Sequence, residues 1–515
     1  MHSHSLRVCD RVHGEITLPA VAVRIAETAE FHRLDGIRQL GGCSFVYPSA
    51  SHTRREHALG VCHLAGEMGR HLQRLTTSTS AERVTNDDVL CLQLAGLVHD
   101  LGHGPFSHLF EDFMASRRRA SGAEPWSHEE MGMRVFDLLL DRHDIRLGDY
   151  FATSYTACHV AFIRLLVRGL YLDEPWPEAT GRPATKRFLV DIVSNKQCGI
   201  DVDKLDYLAR DALSVFGASR PFDARRILHA AAPRDVGDGR TVLAFDERVA
   251  FELGDVFTLR AKLHRQVYQH RAVKVVERLL VRILEALDDA RGGEVAASAT
   301  DAAAFAQLTD ATVLGMVANA PAASALHAQL FSPPQHRRLH VAVRVHTAPL
   351  CGECAKETEV SHAFCAACGA STREREFVYR ADGLRQSPAC LLDSALATEQ
   401  VRERLPPGER AAPLEVHLID VHCGTLVARS DPWHADAKWA TFDALAGIHF
   451  FSDDDATDCT WRGMCPAALH APRSTHVRTA YCYVEARAGE ARLRAVSEAF
   501  AAWGAGIGEV MGTPA

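Results

Sequence analysis

The 515-residue chain lacks any uninterrupted apolar run long enough to cross a membrane, and residues 1–5 lack the apolar core of a secretion signal. We therefore expect an intracellular protein, cytoplasmic or nuclear, with no membrane partner. An excess of positive charge is also absent, because the formal net charge is -8. This argues against a general nucleic-acid coating protein, although a local Arg-rich channel for phosphates stays open and nucleic-acid binding is undecided.

A disulfide framework is absent as well. The 15 cysteines are odd in number and scattered through a chain that is 47% hydrophobic and 24% charged. This composition favours free thiols in a large globular protein with room for two or three domains.

One group of cysteines is regularly spaced, in the pattern CxxC-x10-CxxC. Its members are Cys351, Cys354, Cys365 and Cys368. Two such pairs fit a tetrahedral zinc site with four thiolate ligands, so we predict a zinc ribbon whose zinc is structural. The alternatives are a chance pairing of buried or redox cysteines, and a ribbon that binds a partner or a nucleotide.

Periodicity and chain breaks predict a mainly α protein with a smaller C-terminal α+β lobe that contains the zinc ribbon. The expected organisation is a helical core at 1–290, a helical connector at 291–335, the ribbon at 336–385 and the lobe at 386–515. Within the tail, we expect strands at His340–Val345 and Leu414–Val421, and a closing amphipathic helix at Arg492–Trp503.

An adjacent pair, His99 and Asp100, follows an apolar run that predicts a buried helix. Thr85 with Asp88 indicates the start of that helix, and Gly102 is among the residues that end it. A buried imidazole and carboxylate are costly to desolvate unless they are paired or coordinated, which favours a metal site. The alternative is a hydrogen-bonded His-Asp pair in the core.

A distant histidine and a distant aspartate complete the pattern. Together, His57, His99, Asp100 and Asp203 give the order H…HD…D, which is the signature of the HD metal-dependent phosphohydrolases. Neutral imidazoles with carboxylates suit Fe, Mn, Mg or Zn. Open coordination positions would let the metal lower the pKa of a bound water and supply hydroxide for attack on phosphorus.

Longer runs carry a closer resemblance. They include 39–42, 51–60, 95–108, 199–207 and 264–270. From about His13 to Arg271 the chain resembles the family of sterile-alpha-motif and HD-domain dNTP triphosphohydrolases, and we expect no sterile-alpha-motif domain ahead of it. The resemblance implies attack of metal-bound hydroxide on the α-phosphorus of a dNTP, which releases a deoxynucleoside and inorganic triphosphate. It also implies a homo-oligomer.

The resemblance assigns catalytic roles to five residues. It implies that His108 protonates the departing 5′ oxygen, with Glu111 orienting its imidazole or raising its pKa. His128 with Glu129 would position water or stabilise the α-phosphate, and His103 would donate to a phosphate oxygen. Taken singly, each histidine is equally compatible with an ordinary core or surface position.

The resemblance also implies a substrate pocket. The triphosphate contacts would be Arg54, Lys204 and Arg260, and the 3′ hydroxyl contacts would be Gln39 and Asp211. Leu40 and Tyr268 would pack where a ribose 2′ hydroxyl would clash, and the remaining pocket residues would be Tyr207, His264 and Gln269. The alternative for each charged residue is a solvated surface ion pair.

The N-terminal positions that match the family's guanine-nucleotide activator site depart from its pattern. They are Leu6, Cys9, Glu27, His32 and Asp35. Asp35 stands where the family has an arginine, and its carboxylate would repel a triphosphate. We therefore expect activity that is independent of GTP or is controlled by another ligand, for which a nucleotide is one candidate.

Two further interpretations stay open. The metal ligands alone are compatible with another HD-type nucleotide phosphohydrolase or phosphodiesterase. A nucleotide-sensing or nucleic-acid-binding protein with a vestigial HD site is the second alternative.

Overall fold

The computed structural model describes two stretches of the chain. The first is residues 5–331 without 77–81, 123, 172 and 236–239; the second is 340–345, 394–412, 414–422, 425–430, 438–443, 448–452, 455–460, 476–484 and 489–505. The four cysteines of the predicted zinc ribbon lie outside the described residues, so the ribbon and its zinc stay predictions.

Helices dominate the described residues. They are α1 Ala20–Ala26, α2 Ala29–His32, α3 Arg54–Leu75, α4 Asn86–Val98, α5 His108–Ser121, α6 His128–Arg142, α7 Thr156–Arg168, α8 Val190–Val193, α9 Val202–Phe216, α10 Ala224–His229, α11 Ala250–Leu263, α12 Arg271–Ala290, α13 Glu294–Ser298, α14 Ala302–Phe305, α15 Asp310–Met316, α16 Pro321–Leu330, α17 Ser394–Glu403 and α18 Glu490–Ala505. A π-helical turn, His264–Tyr268, lies between α11 and α12. The fold is mainly α, as the periodicity predicts.

The strands are shorter. They are β1 Leu6–Asp10, β2 Gly14–Leu18, β3 Ala231–Asp235, β4 Thr241–Asp246, β5 His340–Val345, β6 Leu414–His422, β7 Thr425–Ser430, β8 Lys438–Asp443, β9 His449–Ser452, β10 Asp455–Thr460 and β11 His476–Val484. β1 and β2 form an antiparallel hairpin, and β7 pairs with β8. The larger sheets have the orders β10-β9-β4-β3 and β5-β11-β6.

The chain divides into two compact units. The first contains Met1–Leu330 with 424–427 and 443–471, and the second contains the rest of the tail. In the second, α17 and α18 pack on the β5-β11-β6 sheet around a small core that includes Trp503. β5, β6 and α18 lie where the alternating and amphipathic patterns predict two strands and a helix.

The core of the first unit extends beyond the expected boundary at 290. Phe305, Val313 and Ala323 are fully buried in the same apolar cluster as the helices before them. The predicted connector therefore contributes to this core, because its own apolar side chains need a surface to cover them. One of its residues, Asp310, also accepts a hydrogen bond from the Phe106 N–H, just before α5.

Helix α4 packs against α3 and carries the site at its C-terminal end. Thr85 Oγ1 accepts from the Asp88 N–H, and the Asp88 carboxylate accepts from the Thr85 N–H in return. This capping box confirms the predicted helix start. No helix within the described residues combines the length and the apolar character needed to cross a membrane.

Candidate active site

The segment between α4 and α5 is built from unusual backbone. Phe106 and Ser107 have φ of 62° and 60°, a left-handed conformation that residues other than glycine rarely adopt. The Arg33 guanidinium crosses beneath the segment and donates to the carbonyl oxygens of Leu101 and His103 at 2.8–3.0 Å. This segment joins His99 and Asp100, which follow the end of α4, to His108, the first residue of α5.

Four side chains converge at the start of the segment. His57 Nε2 lies 3.3 Å from His99 Nε2, 3.7 Å from Asp100 Oδ2 and 2.9 Å from Asp203 Oδ1. Asp203 Oδ1 is also 3.7 Å from His99 Nε2. The structure therefore brings all four predicted metal ligands together from α3, the end of α4 and the first turn of α9.

The donor set fits a divalent ion. Ligands about 2.1 Å from one ion are separated by about 3.0–3.4 Å along the edges of its coordination polyhedron, close to the spacings found here. His99 Nδ1–H donates to the Gly96 carbonyl at 2.8 Å, and His57 Nδ1–H donates to Asp206 Oδ2 at 2.7 Å. The Nε2 lone pairs of His57 and His99 therefore face the carboxylates of Asp100 and Asp203. Lone pairs and carboxylates repel one another unless a positive charge lies between them.

The carboxylates around His57 also favour a positive charge at this position. Burial lowers the pKa of His57, but hydrogen bonds to Asp203 and Asp206 outweigh burial and raise it to about 10. The position therefore stabilises a positive charge, from a proton or from a metal ion.

Asp206 is a site residue that the predicted ligand set does not contain. Its fully buried carboxylate accepts from His57, from His13 Nε2 at 2.6 Å and from the Arg210 guanidinium at 2.9 Å. Arg210 also reaches Asp10 at 3.0 Å, which ties the β1–β2 hairpin to α9. The signal in the sequence is the spacing, because Asp206 lies three residues after Asp203 and shares its helix face.

Arg54, a predicted phosphate contact, is engaged with the metal cluster. Its guanidinium is buried and donates to Asp100 Oδ2 at 2.6 Å and to Ser107 Oγ at 2.8 Å. Burial raises the pKa of Asp100, but Arg54 and the neighbouring histidines hold it well below its usual range. Arg54 therefore keeps one metal ligand ionised and orients it.

A second cluster adjoins the first through Asp100. His103 Nε2 lies 3.3 Å from Asp100 Oδ1, and the His103 ring stacks on His128 with centroids 4.1 Å apart. Glu111 Oε1 lies 2.7 Å from His128 Nδ1 and 3.4 Å from His108 Nδ1. The resemblance implies a partnership between Glu111 and His108, and the structure places Glu111 closer to His128.

The members of this second cluster differ in charge. Burial and the Arg54 guanidinium hold the pKa of His103 well below its usual range. Burial also lowers the pKa of His128, but Glu111 and then Glu129 raise it overall. Glu129 lies 3.5 Å from His128 and accepts from Ser127 Oγ at 2.6 Å. The surroundings therefore shift the pKa values of these two stacked imidazoles in opposite directions.

Replacing Glu111 with glutamine is expected to lower the pKa of His128, because the Glu111 charge is the largest interaction that opposes burial there. Glutamine keeps the side-chain volume and removes the charge. NMR titration of the His128 ring in the Mg²⁺-loaded protein measures the effect, with the exposed Glu130→Gln on the same helix as a control. An unchanged His128 pKa in Glu111→Gln would contradict the assignment.

A polar pocket lies beyond the ligands. Asp211 accepts from His52 Nε2 at 2.8 Å and from the Tyr268 hydroxyl. Gln39 Oε1 is buried and accepts no hydrogen bond from the described residues. The Gln39 backbone N–H donates to the His52 carbonyl at 3.1 Å, which brings Gln39 close to the residue that contacts Asp211.

The remaining predicted pocket residues lie on α9, around the π-helical turn and before α3. Lys204 donates to the Gly199 carbonyl. Burial lowers the pKa of Lys204, but the Asp201 carboxylate raises it overall; Tyr207 also raises this pKa, and Arg260 lowers it. His264 contacts Tyr268 edge to face with ring centroids 4.8 Å apart, and Gln269 caps the turn. Leu40 is partly buried against the main core. π-Helical turns often occur at functional sites.

The region that contains this site is similar in sequence to known proteins. Residues 54–161 match the HD domain family. The Gallus gallus protein named deoxynucleoside triphosphate triphosphohydrolase SAMHD1 is 38% identical over 287 residues, which are 54% of this chain and 45% of that protein. The Homo sapiens protein of the same name is 36% identical over 324 residues, 60% of this chain and 50% of that protein.

A third relative is similar over a comparable share of the chain at a lower identity. The Dictyostelium discoideum SAMHD1 homolog is 32% identical over 268 residues, 52% of this chain and 46% of that protein. The chain spans about half the length of these curated relatives. Residues 54–161 therefore match the HD domain family, and somewhat more than half of the chain is similar to the proteins named SAMHD1 deoxynucleoside triphosphate triphosphohydrolase.

Proposed function

We propose that the chain hydrolyses deoxynucleoside triphosphates to a deoxynucleoside and inorganic triphosphate. The observation that carries the proposal is the junction of the two clusters at Asp100. Asp100 is one of the four predicted metal ligands, and its other oxygen also lies near His103, which belongs to the group of three histidines. Phosphoryl chemistry needs a site for positive charge and, next to it, groups that move a proton to the leaving oxygen.

A divalent ion held by His57, His99, Asp100 and Asp203, whether Fe, Mn, Mg or Zn, would polarise a phosphate oxygen and lower the pKa of a coordinated water. The departing 5′ alkoxide needs a proton, because it is a poor leaving group near neutral pH. We assign its donor to His108, whose side chain is 71% exposed and therefore accessible to a substrate. Glu111, 3.4 Å away, orients the His108 ring.

The remaining polar side chains of the site are assigned to the phosphate groups of the substrate. His128, supported by Glu129, stabilises the α-phosphate or positions water, and His103 donates to a phosphate oxygen. Lys204 and Arg260 neutralise the triphosphate. Arg54 acts through Asp100 and could contact phosphate only with the part of its guanidinium that Asp100 and Ser107 leave open.

Deoxyribose selection is assigned to the polar pocket. Gln39 Oε1, a buried acceptor, and Asp211 suit a 3′ hydroxyl donor. Leu40 and Tyr268 pack where a 2′ hydroxyl would stand, while Tyr207, His264 and Gln269 complete the pocket. An apolar wall rejects a hydroxyl only modestly, so preference over ribonucleotides depends on tight packing.

Product analysis by chromatography tests the proposal. The purified protein is incubated with each dNTP in the presence of Mn²⁺ or Mg²⁺, alongside Asp203→Ala. Deoxynucleoside and intact triphosphate are expected from the wild type and neither from the variant. Orthophosphate, pyrophosphate or a linear nucleotide would instead indicate another HD-type phosphohydrolase or phosphodiesterase, and tight binding without turnover would indicate a vestigial site.

Turnover is expected to be the same with and without GTP. Asp35 Oδ2 lies 3.2 Å from Arg55 and 3.5 Å from His32, and the carboxylate is 48% exposed. A negative charge at this position opposes a triphosphate. Initial rates and sedimentation velocity with and without GTP measure activity and assembly together. A strong dependence of either on GTP would refute this prediction, whereas GTP-independent assembly would support the proposed homo-oligomer.

A further inference from the structure

The residues before His108 need external support. Phe106 and Ser107 are consecutive non-glycine residues with positive φ, and Ser107 has ψ of -123°. Such backbone persists only where its surroundings hold it. Helix α5 begins at the next residue, so this turn determines where the His108 imidazole lies.

Asp310 supplies that support from a distant part of the chain. Its buried carboxylate accepts the Phe106 N–H on Oδ1 at 2.7 Å and the Arg38 N–H on Oδ2 at 3.1 Å. The Arg38 carbonyl in turn accepts from Ser107 Oγ at 2.7 Å. Asp310 therefore connects the turn to the segment of Arg38, whose carbonyl oxygen in turn holds Ser107.

These bonds do not belong to an ordinary helix start. Asp310 is the first residue of α15, but the capping box of α15 is formed by Thr309 and Thr312. Both carboxylate oxygens of Asp310 instead bond to backbone outside the helix. Asp301 shows the usual arrangement, since its side chain accepts from Ala303 and Ala304 of its own helix α14.

We propose that Asp310 is a positioning residue of the active site, which fixes the left-handed turn at Phe106 and Ser107 and thereby places His108. The turn also places Ser107 Oγ, which accepts from Arg54 Nε at 2.8 Å. Asp310 thus positions His108 through the backbone of the turn. Through Ser107 it also positions the Arg54 guanidinium, which orients Asp100. The inference rests on the proposed function for the role of His108, but the support of the turn is independent of it.

The first test measures hydrogen exchange and needs no activity. In the wild type, the Phe106 amide is expected to exchange slowly, and in Asp310→Asn it is expected to exchange faster, because an amide side chain offers one acceptor in place of two. Asp301→Asn is the matched control and should leave exchange at Phe106 unchanged. A rapidly exchanging Phe106 amide in the wild type would overturn the proposal even if Asp310→Asn failed to fold.

The second test is a double-mutant cycle on the folded, metal-loaded protein. Asp310→Asn is expected to lower kcat by about 10- to 100-fold with little change in KM, because a displaced catalytic group loses its alignment. In a His108→Gln background, the same substitution is expected to have little further effect, since the group that it positions is gone.

The outcomes separate the two hypotheses. A purely structural role for Asp310 predicts equal fold-losses in both backgrounds, and that result would overturn the inference. Wild-type kcat in Asp310→Asn would overturn it as well. If the wild type hydrolyses no dNTP, the proposed function fails, while hydrogen exchange still decides whether Asp310 holds the turn.

Discussion

Replacing Asp100 with asparagine is expected to remove the bound divalent ion and to reduce turnover on the order of 10⁴-fold. The same substitution is expected to destabilise the fold by about 3 kcal/mol, because breaking a buried ion pair leaves an uncompensated charge. That charge belongs to Arg54, whose side chain is 4% exposed and lies 2.6 Å from Asp100. Asparagine has nearly the same volume as aspartate. The loss of stability would therefore come from the lost charge and not from a cavity.

Asp203→Asn is the matched comparison. Asp203 is also a ligand, but its side chain is 36% exposed and its close partners are His57 and His99. We expect the same loss of metal and turnover, with a destabilisation of only about 1 kcal/mol, as is typical of partly exposed pairs. Metal content by mass spectrometry and urea unfolding in a chelator measure the two effects separately. Equal destabilisation by both variants would contradict the assigned role of Arg54.

Gly60→Ala is expected to destabilise the protein by about 3 kcal/mol or more, because a methyl group has no space there. Gly60 lies inside α3, where a Cβ would stand 1.9 Å from Asp206 Oδ1 and 2.5 Å from the Arg210 guanidinium. The methyl group would displace the carboxylate that accepts from His57. Metal affinity should therefore fall together with stability.

Gly315→Ala provides the control for Gly60→Ala. Gly315 lies in α15, and a Cβ would meet no atom within 4 Å in the described structure. Alanine is favoured over glycine within a helix, so this variant should be stabilised by about 0.5–1 kcal/mol. Thermal and urea unfolding of both variants, with metal titrations, give the comparison. Wild-type stability and metal affinity in Gly60→Ala would show that α3 and α9 do not approach as described.

Much of the metal site is readable from the sequence because it depends on local features. The capping box of Thr85 and Asp88 and the apolar run after it predict α4 as the structure has it. The order His57, His99, Asp100 and Asp203 predicts the ligand cluster through its match to the HD signature, although these residues lie in three separate parts of the chain. Helix type and donor chemistry are both encoded within short stretches of chain.

Tertiary structure decided which residues support that cluster. Asp206 holds His57 and His13 from α9, and Arg33 and Asp310 hold the strained turn before His108. The segment that carries Asp310 has the composition of a connector, but its apolar side chains bury in the core of the first unit. Periodicity and spacing describe one element at a time, whereas these contacts join residues far apart in the chain. Only packing brings them together, because buried donors and charges must find partners wherever the fold supplies them.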